Sequence, residues 1–182
     1  MSSRKLWILA AVGDLTAGLL SFVAHGWTAA GAGSATRNTA RFAICFLLVG
    51  FAAPGLRKWW PGFTQPANLI HAYMAAQFVH FAFVANLHTT FADQIQIGLP
   101  QIVISALGFS LVAATGYTAT AETRAGVIIN TVLLYINWLI LAADYSKHPH
   151  RMMRLVAIPV FLALILRHLP RPRAQAANAA GV

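Results

Sequence analysis

Charged side chains are all but missing from six long stretches of this sequence, and that absence restricts the fold more than any motif does. The stretches run over 6–25, 39–56, 67–88, 97–119, 125–145 and 152–169. Each is close to the ~20 apolar residues that an α-helix needs to cross a hydrocarbon core. Only 9% of the 182 residues are charged and 58% are hydrophobic, whereas a soluble domain carries about 25% charged residues. In lipid, backbone N–H and C=O groups must be satisfied within the segment, a condition that helices meet. The expected fold is all-α: one integral membrane bundle of six helices over residues 1–169, with the lipid bilayer as its solvent.

Breaks between the stretches carry the expected punctuation. Gly26 to Asn38 is rich in Gly, Ala, Ser and Thr and reads as a loop. Pro54-Gly55 with Arg57-Lys58 ends the second span, and Trp59, Trp60 and Phe63 form an interfacial aromatic cluster. Lys147, His148, Pro149, His150 and Arg151 separate the fifth span from the sixth. The tail 170–182 has nothing to bury and is expected to be disordered. Arg4 and Lys5 before an apolar run resemble a signal peptide, but the run is long enough to span and carries Asp14, so it reads as a retained first helix.

The net charge of +9 comes from thirteen Lys and Arg, which fall at the ends of the apolar stretches and serve as anchors. No basic face or aromatic-interleaved patch appears, so nucleic acid is not an expected partner. Six spans place both termini on one side, with Arg4, Lys5, Arg57, Lys58, Arg124, Arg167, Arg171 and Arg173. The other side holds Arg37, Arg41, Lys147, Arg151 and Arg154, and the bias favours a cytoplasmic location for the termini and the tail. Cys45 is the single cysteine, which excludes an intrachain disulfide and a multi-cysteine zinc site. The sequence contains no evident internal repeat, Gly-rich phosphate loop or nucleotide motif, and no room for a flavin domain.

Ionisable and polar residues at membrane depth are costly, so they mark internal pairs, cavities or cofactors. His80 stands near the middle of the third span and is a candidate axial ligand of heme iron. Met74, Phe78, Phe81 and Phe83 would wall a porphyrin, although the same residues serve equally as core. His71 precedes His80 by nine positions, which at ~100° per residue puts the two on opposite helix faces. His88 follows His80 by eight; neither pair has the spacing for two stacked hemes. Asp14 is the one acid well inside a span and would pair with a histidine or arginine, relay protons, or bond Thr16 or a hydroxyl of another helix. Gln77, Asn86, Asn130 and Asn137 read as interhelical hydrogen-bonding groups.

The stretch Leu69 to Leu87, the run Gly116-Tyr117-Thr118-Ala119-Thr120, and Asn130-Thr131-Val132 through Tyr135 to Trp138-Leu139-Ile140 resemble the bacterial ferric-reductase-like transmembrane proteins. Arg37 to Arg41 followed by a span and Pro54 is also similar to the opening of that family, which includes the heme-b membrane partner of periplasmic methionine-sulfoxide reductase. The resemblance implies a bacterial inner-membrane protein that binds heme b and passes electrons between membrane quinol and a redox partner protein. His80 falls on the family's axial histidine in the third span. The partner histidine of the fifth span falls on Asn130, and a further family histidine on Gln77. These departures leave His80, or a displaced ligand such as His71, to hold a single heme.

Two alternatives stand beside the resemblance. One is a heme-free accessory or assembly subunit, with Gln77, His80, Asn130 and Asn137 forming a polar core and Asp14 a structural acid. The other is a metal-handling protein, since His25, His88, His148 and His150 fall on the side opposite the termini together with Asp93 and Asp144. Imidazole with carboxylate suits zinc, copper(II) or iron.

Overall fold

The computed structural model describes residues 3–95, 98–147 and 151–170. Among them six α-helices follow one another: α1 Ser3–His25, α2 Ala29–Trp59, α3 Pro66–Thr90, α4 Leu99–Thr118, α5 Arg124–Lys147 and α6 Arg151–Arg167. A single 3-10 turn at Ala92–Gln94 joins α3 to the segment before α4. The structure is therefore an all-helical bundle. Helices α1, α2, α4 and α5 are long and apolar enough to cross a membrane, the mark of a multi-pass membrane protein. Their outward faces agree: Val23 is 83% exposed and Ile104 67%, positions tolerable in lipid but costly in water.

Helix α3 is 25 residues long but carries His71, Tyr73, Gln77, His80 and Asn86. It tolerates them by lying inside: Leu69, Ile70, Ala72, Tyr73, Ala76 and Gln77 are buried. Helix α2 is its main neighbour and also packs against α1, α5 and α6, while α3 to α6 pack in succession. These contacts arrange α2 to α6 as a ring, with α1 docked outside on α2 and α3.

The expected loop Gly26 to Asn38 is helical from Ala29 onward. Gly26 takes φ +71 and turns the chain, and the Thr28 side chain then accepts from Gly31 N–H at 3.1 Å as an N-cap. Alanine, the best helix former, supplies much of this segment. Gly31, Ala32, Ser34 and Ala35 are buried, and Asn38 Nδ2 donates to Ser21 Oγ of α1 at 3.0 Å. What reads as loop composition is a small-residue face built for close helix contact. The spans expected over 97–119 and 152–169 become Leu99–Thr118 and Arg151–Arg167, and the tail is outside the described residues beyond Pro170.

At the end of the bundle where α2, α4 and α6 finish, α6 is strapped down. Pro54 has no N–H for the Gly50 carbonyl, and beside it Arg167 Nη1 donates to the Phe51 carbonyl at 2.8 Å. The Arg167 guanidinium lies over the rings of Phe51 and Tyr135, at 4.6 and 5.1 Å from their centroids. Lys58 Nζ donates to the Leu169 carbonyl at 2.9 Å, and Trp59 Nε1 to the Pro170 carbonyl at 3.0 Å. Gly55 lies against the α6 backbone, where an added Cβ would collide with the Leu166 carbonyl oxygen. Gly55→Ala should therefore lower stability by about 1–3 kcal/mol through overpacking, read as a lower thermal midpoint in detergent, while Gly62→Ala, which meets nothing, should leave it unchanged.

Candidate functional site: the His80 cleft

Helices α2, α3, α4 and α5 enclose a cleft of about 230 Å³ that His80 lines. Half of its lining residues are aliphatic, with Leu47, Leu111, Val112 and Leu141 among them. Gly108 of α4 leaves open the space that a side chain there would fill, with only the tip of Phe81 within contact distance. Phe81 in turn packs on His80, with ring centroids 5.4 Å apart.

The His80 ring is oriented from behind. Its Nδ1 lies 3.0 Å from Thr39 Oγ1 of α2, and the Thr36 carbonyl faces the same imidazole. The Thr39 hydroxyl has one proton, and the Ala35 and Thr36 carbonyls lie 2.9 and 3.1 Å from it as acceptors. We therefore assign the Nδ1 proton to the Thr39 contact and the ring's lone pair to Nε2. An imidazole held in this way through one nitrogen presents the other as a ligand or hydrogen-bond acceptor.

Facing His80 across the cleft is a chain of neutral hydrogen bonds. Tyr73 donates to Asn137 Oδ1 at 3.1 Å; Asn137 Nδ2 donates to Thr115 Oγ1 at 3.0 Å and to the Leu133 carbonyl at 2.9 Å. Thr115 returns its own proton to the Leu111 carbonyl at 2.7 Å. The amide of Gln77 lies against the Tyr73 hydroxyl. These bonds join α3, α4 and α5, each contributing a modest fraction of a kcal/mol up to ~2 kcal/mol in a membrane bundle.

The other sequence candidates scatter. Asn130 points elsewhere: its Nδ2 donates to the Thr115 carbonyl at 2.8 Å and to Thr118 Oγ1 at 3.0 Å. It lines a second cleft with Arg167, so the His80–Asn130 pair is not brought together. Asn137, two turns further along α5, takes the place facing His80. His71 packs on Trp7 at 4.7 Å between centroids and faces the Gly116 carbonyl, away from the His80 cleft. Its Nδ1 and the Trp7 Nε1 are both buried without a partner. Asp14 is fully buried with both carboxyl oxygens unpartnered. Thr16, a candidate partner, instead donates to the Val12 carbonyl.

Trp27, just after α1, stacks near Phe22 and lies 6.4 Å from Phe91 beyond α3, so His25 and His88 share one end of the bundle. Among the described residues, however, no three His, Cys, Asp or Glu side chains gather as a metal group. His148 and His150 lie outside the described residues.

The residues missed in the sequence are Thr39, Tyr73 and Thr115. Each reads as an ordinary helix residue, and only the crossing of helices turns it toward His80 or Asn137. No family model, no curated protein and no solved structure matches the chain.

Burial costs differ between the two kinds of polar residue. Asn137→Leu takes the acceptor from the Tyr73 hydroxyl proton and the donor from Thr115 Oγ1, and should cost about 1–3 kcal/mol. Asp14→Leu removes an unpartnered acid from an apolar contact and should raise the thermal midpoint in detergent; a fall instead would mean that Asp14 holds a partner.

Proposed function

We propose that the protein is a ferric-reductase-like redox subunit of the bacterial inner membrane, with cytoplasmic termini, that binds one heme b through His80 alone. It would pass electrons between membrane quinol and a partner protein. The observation that carries this reading is the His80 ring, which lines the cleft and has its Nδ1 3.0 Å from Thr39 Oγ1. Of the side chains lining the cleft, His80 would hold the iron: Gln77 and Asn137 are amides, and the Tyr73 hydroxyl is bonded to Asn137. Heme b, when bound, supplies one-electron chemistry at its iron. The chain's part is to ligate through Nε2, hold the ring plane through Thr39, and exclude water with Leu47, Leu111 and Val112.

A second reading rests on the size of the cleft. About 230 Å³ falls below the ~300–1,000 Å³ usual for cofactor-sized ligands. The cleft's polar groups facing His80 are already mutually bonded, as in a heme-free accessory subunit whose polar core only specifies helix pairing.

Visible spectra of the detergent-purified protein, oxidised and dithionite-reduced, with a pyridine hemochrome assay, separate the two. The redox reading expects a Soret band that disappears in His80→Ala and survives in His71→Ala. Thr39→Val, which frees the ring, should weaken heme retention by about 10–100-fold. A folded, stable and colourless protein would sink the heme reading and leave the accessory one.

A further inference from the structure

The second cleft, of about 180 Å³, lies among the ends of α2 to α6 and is lined by Asn130, Thr131, Thr118 and Arg167. We propose that it binds a phosphate group, that of an anionic phospholipid in the adjoining leaflet. The proposal does not depend on His80 or on heme.

Asn130 spends its NH₂ group on the Thr115 carbonyl and Thr118 Oγ1. Thr118 donates to the Ala114 carbonyl, and Thr131 to the Val127 carbonyl. Arg167 alone brings spare donors: a guanidinium has five N–H groups in a planar fork, and the Phe51 carbonyl takes one bond from Nη1. A ligand seated here must therefore be rich in acceptors.

Charge points the same way. Arg167 is half-buried, and among the described residues no carboxylate lines the cleft. Asp14 is on α1, which does not border it; Asp93 lies beyond the far end of α3, and Glu122 is exposed. Its aromatic neighbours, Phe51 and Tyr135, offer only their π faces. A cation drawn partly out of water without a counter-ion is costly, and the guanidinium fork matches phosphate oxygens. Arg57 and Lys58 end α2 and Arg124 starts α5 at this same end of the bundle. Basic clefts between membrane helices at such an end take anionic lipid headgroups. The volume suits a headgroup and is small for a drug-sized ligand.

The test is thermal unfolding and native mass spectrometry of the full chain in detergent. Phosphatidylglycerol, phosphatidylcholine and inorganic phosphate are titrated separately. Arg167→Gln removes the guanidinium but also releases the Phe51 carbonyl, so Thr131→Leu, which fills the cleft and leaves the Arg167 bonds in place, is the second variant. The expected result is a preference of about tenfold for phosphatidylglycerol over phosphatidylcholine, the size of one charge-assisted hydrogen bond. That preference should vanish in Thr131→Leu and in any folded Arg167→Gln. Equal stabilisation by both lipids, or a preference that persists in Thr131→Leu, would overturn the proposal. Full competition by millimolar inorganic phosphate would overturn the lipid as source and leave a free-phosphate site.

Discussion

Helices in a lipid environment gain little from hiding apolar surface from one another, so they need close approach and shared polar bonds to choose their neighbours. Helix α2 supplies both. Its early Ala and Gly residues let α1 settle against it, Gly50 admits Leu69 and Ile70 of α3, and Gly55 admits the backbone of α6. At each contact a polar tie follows: Asn38 to Ser21, Thr39 to His80, and the Phe51 carbonyl to Arg167. Both clefts are bordered by α2, through Ile44 and Leu47 at the first and Gly50 and Pro54 at the second.

The His80 cleft joins two different solutions to the cost of polar groups at membrane depth. On the α2 side a histidine is held at Nδ1 by Thr39. On the α5 side Asn137 is saturated by Tyr73, Thr115 and the Leu133 carbonyl. An oriented imidazole next to a closed amide network is an asymmetric site, suited to a ligand that needs one protein donor atom. Asp14 is a buried acid outside either solution: both its carboxyl oxygens lack a partner, as do Trp7 Nε1, His71 Nδ1 and Asn86 Oδ1. An added Cβ at its α1 neighbours Gly13 and Gly18 would meet the rings of Phe42 and Phe83.

The two ends of the bundle also differ. The end with the last turns of α2 and α6 gathers cations, aromatic rings and capped carbonyls, so its geometry is closely specified. The opposite end, where α1 passes to α2 and α3 closes, is packed by Phe22, Trp27 and Phe91. The histidines at that end, His25 and His88, are separate residues and form no cluster with described neighbours.

Hydrophobic length and charge placement are local properties, so six helices and a membrane setting were legible from the sequence, with boundaries close to those observed for α3, α4 and α5. The start of α2 was not, because Gly, Ala, Ser and Thr describe a flexible loop and a tight helix interface equally well, and only a neighbouring helix distinguishes them. His80 was legible as the central ionisable group, being isolated in an apolar run. Its anchor was not: Thr39 lies 41 positions away, and no periodicity within one helix reports which residue another helix brings to it. Likewise Asn130 and Asn137 are equivalent as amides in sequence. The tertiary structure alone decides that Asn137 faces His80 while Asn130 joins the Arg167 cleft, because α5's rotation and its packing against α4 set the direction of each side chain.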